Sequence, residues 1–221
     1  MSTVAPGDLV KSRGGRFASA LGIDLAAPEA GERFKWFLAA VLYGTRISES
    51  LATRTWREFT ARGVVTPERI LATGWDGLVA ILYAGGYVRY DYKTATKLLD
   101  VCHALTRDYG GSLDTLHAVA ADPRDLENRL KALGKGIGDV TVSIFLRELR
   151  GIWNEADPPL SALALTAAIA LGYLHHGTRD TDRALCALRQ AWAIDGQPAS
   201  RFADFESALV REGLRLRHTG A

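Results

Sequence analysis

The residues best placed to do chemistry lie in Leu130–Leu149, LKALGKGIGDVTVSIFLREL. At its centre, Gly134-Lys135-Gly136-Ile137-Gly138 joins two helical patterns. Glycines in such a turn permit positive φ and let another chain come close to the backbone. Ile137 can tuck its side chain between the helices and fix the turn, and Asp139 is placed to cap the second helix. The start of that helix then offers unpaired N–H groups and the positive end of its dipole, a combination suited to a phosphate. The same residues also suit a plain packing corner, with glycines for steric reasons alone, and spacing does not choose between the two. A dinucleotide-binding glycine loop does not apply, because no strand precedes the turn.

Other chemistries find less support. The two cysteines, Cys102 and Cys186, are too few for a disulfide framework, a tetra-cysteine zinc site or a four-cysteine iron–sulfur cluster. A reducing compartment is therefore the expectation. His175 and His176 are adjacent and point in different directions, which fits a solvated helix end rather than a metal site. The 27 Lys and Arg against 25 Asp and Glu leave a net charge of +2, permissive of nucleic acid without arguing for it. Residues 10–36 carry five basic and three acidic side chains and the rest alternates in sign, so a DNA-binding face has to come from geometry. Met1–Gly7 lacks a secretory pattern, and the longest apolar run, Ser161–Leu174, is shorter than the roughly 20 residues of a membrane span. The expectation is a cytoplasmic, DNA-associated protein with no membrane partner, and nothing calls for more than a monomer.

The elements that must position these residues read as helices throughout. The 221 residues are 48% hydrophobic and 24% charged, enough for one or two domains with a sizeable core. FKWFLAAVLY from Phe34 predicts a buried helix ending near Gly44. Others are predicted over Ser48–Arg62, from Thr66-Pro67, from Trp75-Asp76 between Gly74 and Gly77, over Lys93–Tyr109, near Ser112–Val119, and from Asp122-Pro123 to Leu133. A helix over Val140–Arg150 precedes an Ala/Leu-rich one opened by Pro158-Pro159, and Thr181–Ile194 and Ala203–Arg217 supply two more. Tyr87–Tyr92 reads as an aromatic loop after Gly85-Gly86. No strand pair and no fixed repeat is found, so the fold class is all-α with roughly ten helices.

The segment Leu133–Gly138, with Thr141 and Ile144-Phe145-Leu146 after it, resembles the helix-hairpin-helix of the endonuclease III superfamily of DNA glycosylases. FLAAVLYGTRIS at Phe37–Ser48 is similar to that family's early apolar helix, and GGYVRYDYKTATKL at Gly85–Leu98 to its glycine-containing loop and following helix. The resemblance implies a two-lobed all-α fold with a cleft between the lobes. One lobe would span 35–150, with the hairpin motif at about 123–150, and the other would combine 1–34 with 151–221. It further implies double-stranded DNA carrying a damaged or modified base as partner, with the target nucleotide flipped out of the duplex.

On the same resemblance, Gly134, Lys135, Gly136, Ile137 and Gly138 would anchor a phosphate, and Asp157 would stabilise the cationic sugar as the glycosidic bond breaks. Asp157 before Pro158 also reads as an ordinary helix cap, and Glu155 is the neighbouring carboxylate. Bifunctional members carry a lysine two residues past the last hairpin glycine. Here Val140 stands there, which implies base excision by water without a strand-cleaving lyase step. The loop Tyr87–Tyr92 lies where relatives insert a wedge into the duplex, with Tyr87 as the wedge and Arg89 placed to contact a phosphate, although tyrosines there also suit packing at a lobe boundary. Arg46 is placed to address the orphaned base. The iron–sulfur cysteines of many relatives are missing, no organic cofactor or metal ligand set is implied, and a monovalent cation on hairpin carbonyls is compatible with the motif. The alternative function is a non-catalytic helix-hairpin-helix DNA-binding protein.

Overall fold

The computed structural model describes residues 4–219. Among them are twelve α-helices, one 3-10 helix and no β-strand. The helices are α1 (Pro6–Arg13), α2 (Phe17–Ala20), α3 (Ala30–Tyr43), α4 (Glu49–Ala61), α5 (Pro67–Gly85), α6 (Asp91–Tyr109), α7 (Leu113–Ala118), α8 (Pro123–Ala132), α9 (Asp139–Leu149), α10 (Ala162–Ala170), α11 (Thr181–Ile194) and α12 (Phe202–Thr219). The chain packs as two compact units. Ile23–Phe145 forms one, and the segment up to Gly22 together with that from Leu146 onward forms the other, so the division falls inside α9.

The continuous unit is built around α3. Its residues from Trp36 to Leu42 are buried, as expected of a helix that is apolar on every side. The Trp36 indole N–H donates to the Phe145 carbonyl at 3.1 Å, and Phe37 meets the Phe145 ring edge-on, joining α3 to α9. Helix starts follow side-chain acceptors: Ser48, Thr66, Ser112 and Asp122 each accept a backbone N–H at the head of α4, α5, α7 and α8. Gly74, at φ +68°, breaks α5 where the sequence places a second helix start. Farther along, a Cβ at Gly85 would lie 2.6 Å from Thr55 Cα, so only glycine lets α5 come this close to α4.

The discontinuous unit packs α1, α10, α11 and α12. Ala164, Ala167 and Ala168 form the buried side of α10. The small side chains allow tight packing on α12, where a Cβ at Gly213 would stand 2.9 Å from the Leu163 carbonyl carbon. Pro158-Pro159 does not open α10. Ser161 accepts the Ala164 N–H and starts it, while the prolines lie in extended chain before it. No helix among the described residues is long and apolar enough to cross a membrane.

Candidate functional site

α8 ends at Ala132 and α9 begins at Asp139, so the glycine turn stands between two helices. The Ile137 N–H donates to Gly134 O at 3.1 Å, and Ile137 and Leu133 are both buried, which pins the turn from inside. The three glycines differ in what demands them. At Gly134 a Cβ would come 3.0 Å from Val101 Cγ2, so the turn is pressed against α6. Gly136 has φ +88°, a conformation that costs an L-residue about 1–2 kcal/mol. Gly138 has neither reason: its φ is ordinary, and a Cβ there would meet nothing within 4 Å. Gly138 O accepts the Val142 N–H at 3.1 Å, the bond that opens α9. The amides ahead of it point out of the helix end.

Charge around the turn is arranged differently from the sequence expectation. Asp139 does not cap α9. It is the helix's first residue, and its carboxylate meets Lys131 of α8 at 2.5 Å. Lys135 is exposed, and so is Val140 on the first turn of α9. Lys97 of α6, which sequence reasoning passed over, lies beside the turn. A Cβ on Gly136 would be 3.1 Å from its Cε and 3.6 Å from its Nζ. Burial holds the Lys97 ammonium below the ordinary lysine range, and it forms no ion pair among the described residues. Nothing local in the sequence marks it, because its approach to the turn is a tertiary contact between segments nearly forty residues apart.

Arg46 is exposed two residues beyond Gly44, and a Cβ at Gly44 would lie 3.3 Å from Thr141 Cα on the first turn of α9. The end of α3 and the start of α9 are thus neighbours. Tyr87 also reaches the end of α3, and here the wedge expectation is corrected. The residue is 1% exposed, its hydroxyl donates to Leu42 O at 2.9 Å, and burial pushes its phenol up to about 12. A side chain so held cannot enter a duplex; it ties the loop to α3. The exposed groups of the loop are Val88 and Arg89, whose guanidinium stands 5.6 Å from the Tyr90 ring centroid.

Asp157 belongs to the discontinuous unit. The helix-cap alternative fails, since Ser161 starts α10. Instead Asp157 Oδ1 accepts from Arg150 and, at 2.6 Å, from Arg189 of α11. Arg150 is buried; its Nε donates to Glu206 Oε2 at 2.7 Å and its Nη2 to Pro158 O. The loop 151–158 is therefore wrapped on a guanidinium that holds the carboxylate at one oxygen. The Asp157 side chain is 43% exposed, and its Oδ2 has no hydrogen bond among the described residues. Arg150 and Arg189 were not singled out from sequence, and their distance along the chain from Asp157 hides the pairing with Arg189 entirely. Glu155 is half-buried. No group of His, Cys, Asp or Glu among the described residues is arranged to hold a metal ion. No protein-family model and no curated protein matches the chain.

Proposed function

We propose that the protein is a monofunctional DNA glycosylase with the two-lobed helix-hairpin-helix fold, excising a damaged or modified base from duplex DNA. The observation that carries this reading is Gly138. Its neighbours in the turn are glycines for internal reasons, whereas Gly138 lacks a side chain where the protein itself requires no such absence. A bare backbone at the head of a helix is what the close approach of a phosphate needs. Lys135 stands exposed within the turn and Lys97 beside it, supplying positive charge without a separate metal. Carbonyls of the turn are the donors a monovalent cation would use; the mechanism calls on none.

In the reaction, Asp157 Oδ2 offsets the positive charge that grows on the sugar as the base departs with the electron pair of the glycosidic bond. Water adds to the anomeric carbon on the face opposite the departing base, and the proton it loses is taken up by that base, which leaves as the neutral nucleobase. Arg150 and Arg189 hold Oδ1 and so orient the carboxylate. Val140 stands in place of an amine nucleophile, so no Schiff base forms and the abasic strand is left intact.

A second reading, a DNA-binding protein without chemistry, is favoured by the same pair of arginines. Two guanidinia on one oxygen neutralise much of the charge that would stabilise a cationic sugar. One assay separates the readings. End-labelled duplexes, each with a single modified base, are incubated with the protein and divided, one half being heated in alkali. Strand breaks only after alkali, absent with Asp157→Asn, are the expected result. Breaks without alkali overturn the monofunctional assignment. Duplex binding with no breaks across alkylated, oxidised and deaminated bases selects the non-catalytic reading.

A further inference from the structure

Among the described residues the exposed large aromatic side chains, Trp75, Tyr83 and Tyr92, are not scattered, and the exposed Val88 stands with them. The four lie together on the second half of α5, the loop after it and the first turn of α6. Tyr83, Val88 and Tyr92, at 64%, 54% and 61% exposure, line one groove of about 610 Å³ with Asp76, Arg89 and Lys93. Isolated exposed apolar residues need no explanation, but a cluster along one groove does. The groove is also propped from behind. The Trp75 ring lies 5.2 Å from that of Tyr92, and the Trp75 indole N–H donates to Thr96 Oγ1 at 3.1 Å. Tyr92 is thereby held with more than half of its surface toward solvent, at little further entropic cost on binding.

Charge identifies what the groove suits. Arg89 and Lys93 stand on its rim and form no ion pair among the described residues. Lys97, one turn beyond Lys93 on the same face of α6, is likewise unpaired and adjoins Gly136 of the glycine turn. Of the two acids in the lining, Asp91 is buried with its carboxylate on the Tyr92 N–H at 2.7 Å, leaving Asp76 as the exposed one. Three cations thus run from an aromatic groove to the turn. From Tyr92 to Lys97 is about 7.5 Å along a helix, the rise of about two stacked nucleotides. We propose that the groove receives an unpaired nucleobase, stacked on Tyr92 and Tyr83, from a strand whose phosphate is held at the 134–138 turn. The inference rests on the phosphate-binding reading of that turn. Stacking on aromatic faces tolerates any base, so the recognised feature is loss of pairing rather than sequence.

Three labelled DNAs of one sequence test this with the full chain: a complete duplex, a duplex with a two-nucleotide bulge, and the single strand. The expected result is about tenfold tighter binding of the bulged than of the complete duplex. Tyr83→Ala/Tyr92→Ala is expected to abolish that preference while the complete duplex binds within twofold of wild type. Both side chains are mostly exposed, so the helical far-ultraviolet spectrum should be unchanged, and Tyr92→Phe, which keeps the ring, should keep the preference. Equal binding of paired and unpaired DNA, or a preference that survives the double substitution, overturns the base-stacking proposal and leaves the phosphate reading standing. If wild type binds none of the three DNAs, the reading beneath it falls as well. Capture of a peptide or protein by this groove, with no response to DNA, is that second outcome.

Discussion

A carboxylate shut away from water has to find its donors inside the protein, and Glu148 finds them at the far end of the chain. Its Oε1 accepts the Phe17 N–H at 2.7 Å and the Ser207 hydroxyl at 3.2 Å, and its Oε2 accepts the Ala18 N–H at 2.7 Å. Burial pushes its pKa up, while Arg147, the two amides and Ser207 pull the other way. With amides aimed at both oxygens, the group acts as a cap on α2, a helix too short to hold itself. Glu148→Gln replaces one accepting oxygen with an NH2 group, setting donor against donor. A loss of about 2–4 kcal/mol is expected in urea unfolding. A loss under about 1 kcal/mol would mean that α2 is held by the packing of Phe17 and Ala18 alone. No local pattern around Glu148 announces this role, because its partners are 131 and 130 positions away. Asp157 is similar: its candidacy could be read from a resemblance, its clamp by Arg150 and Arg189 could not.

Elements closed by local chemistry were the legible ones. Thr66-Pro67 and Asp122-Pro123 mark the starts of α5 and α8, Ser48 and Ser112 stand first in the segments predicted for α4 and α7, and each of those four side chains accepts a backbone N–H. α1 and α2 escaped because eight and four residues carry too little periodicity to stand out. The prolines before α10 misled in the opposite direction, since a proline marks a helix start only when a cap stands beside it, and Ser161 lies farther on. Tyr87, given the wedge on the resemblance, is buried with its hydroxyl donating to Leu42 O, a contact that no local pattern in the sequence shows. In the hairpin turn, the differing demands on its glycines permit a separation of stability from binding. Gly136→Ala forces φ +88° on an alanine and presses on Lys97, at an expected cost of about 1–2 kcal/mol in thermal or urea unfolding. Gly138→Ala meets nothing and has an ordinary φ, so its stability should stay within about 0.5 kcal/mol of wild type. Its Cβ would nonetheless stand in the path of a phosphate. Duplex affinity should fall severalfold, with a shallower dependence on salt by about one phosphate. Unchanged affinity in Gly138→Ala would return the turn to a packing corner.

At the scale of the molecule, the two chain ends make one unit, and ionic contacts between α1 and α12 make that unit sensitive to acid. Arg13 Nε donates to Glu212 Oε2 at 2.6 Å, and Arg215 meets the same carboxylate at 2.7 Å. Glu212 is almost fully buried, whereas both arginines are more than a third exposed. Hydrogen bonds from Arg215, with the charge of Arg13, hold the Glu212 carboxyl below the usual carboxylate range. A carboxylate with a depressed folded-state pKa stabilises the fold fully above its unfolded value, about 4.3. That contribution is lost as pH falls through the depressed one. Glu148 has the opposite sign: its raised pKa gives stability that is present below the ordinary carboxylate range and lost as pH rises through the folded value. Acid therefore acts on the two carboxylates in opposition, and a wild-type pH profile alone does not resolve them. The difference between wild type and Glu212→Gln does. At neutral pH it should be about 1–2 kcal/mol, reduced by solvent screening of the two arginines. Below about pH 4.3 it should shrink towards zero as the wild-type carboxylate is protonated. Urea midpoints of both proteins between pH 3 and pH 7 measure it, and a difference that stays constant across that range would show that Glu212 acts through packing, its charge contributing nothing.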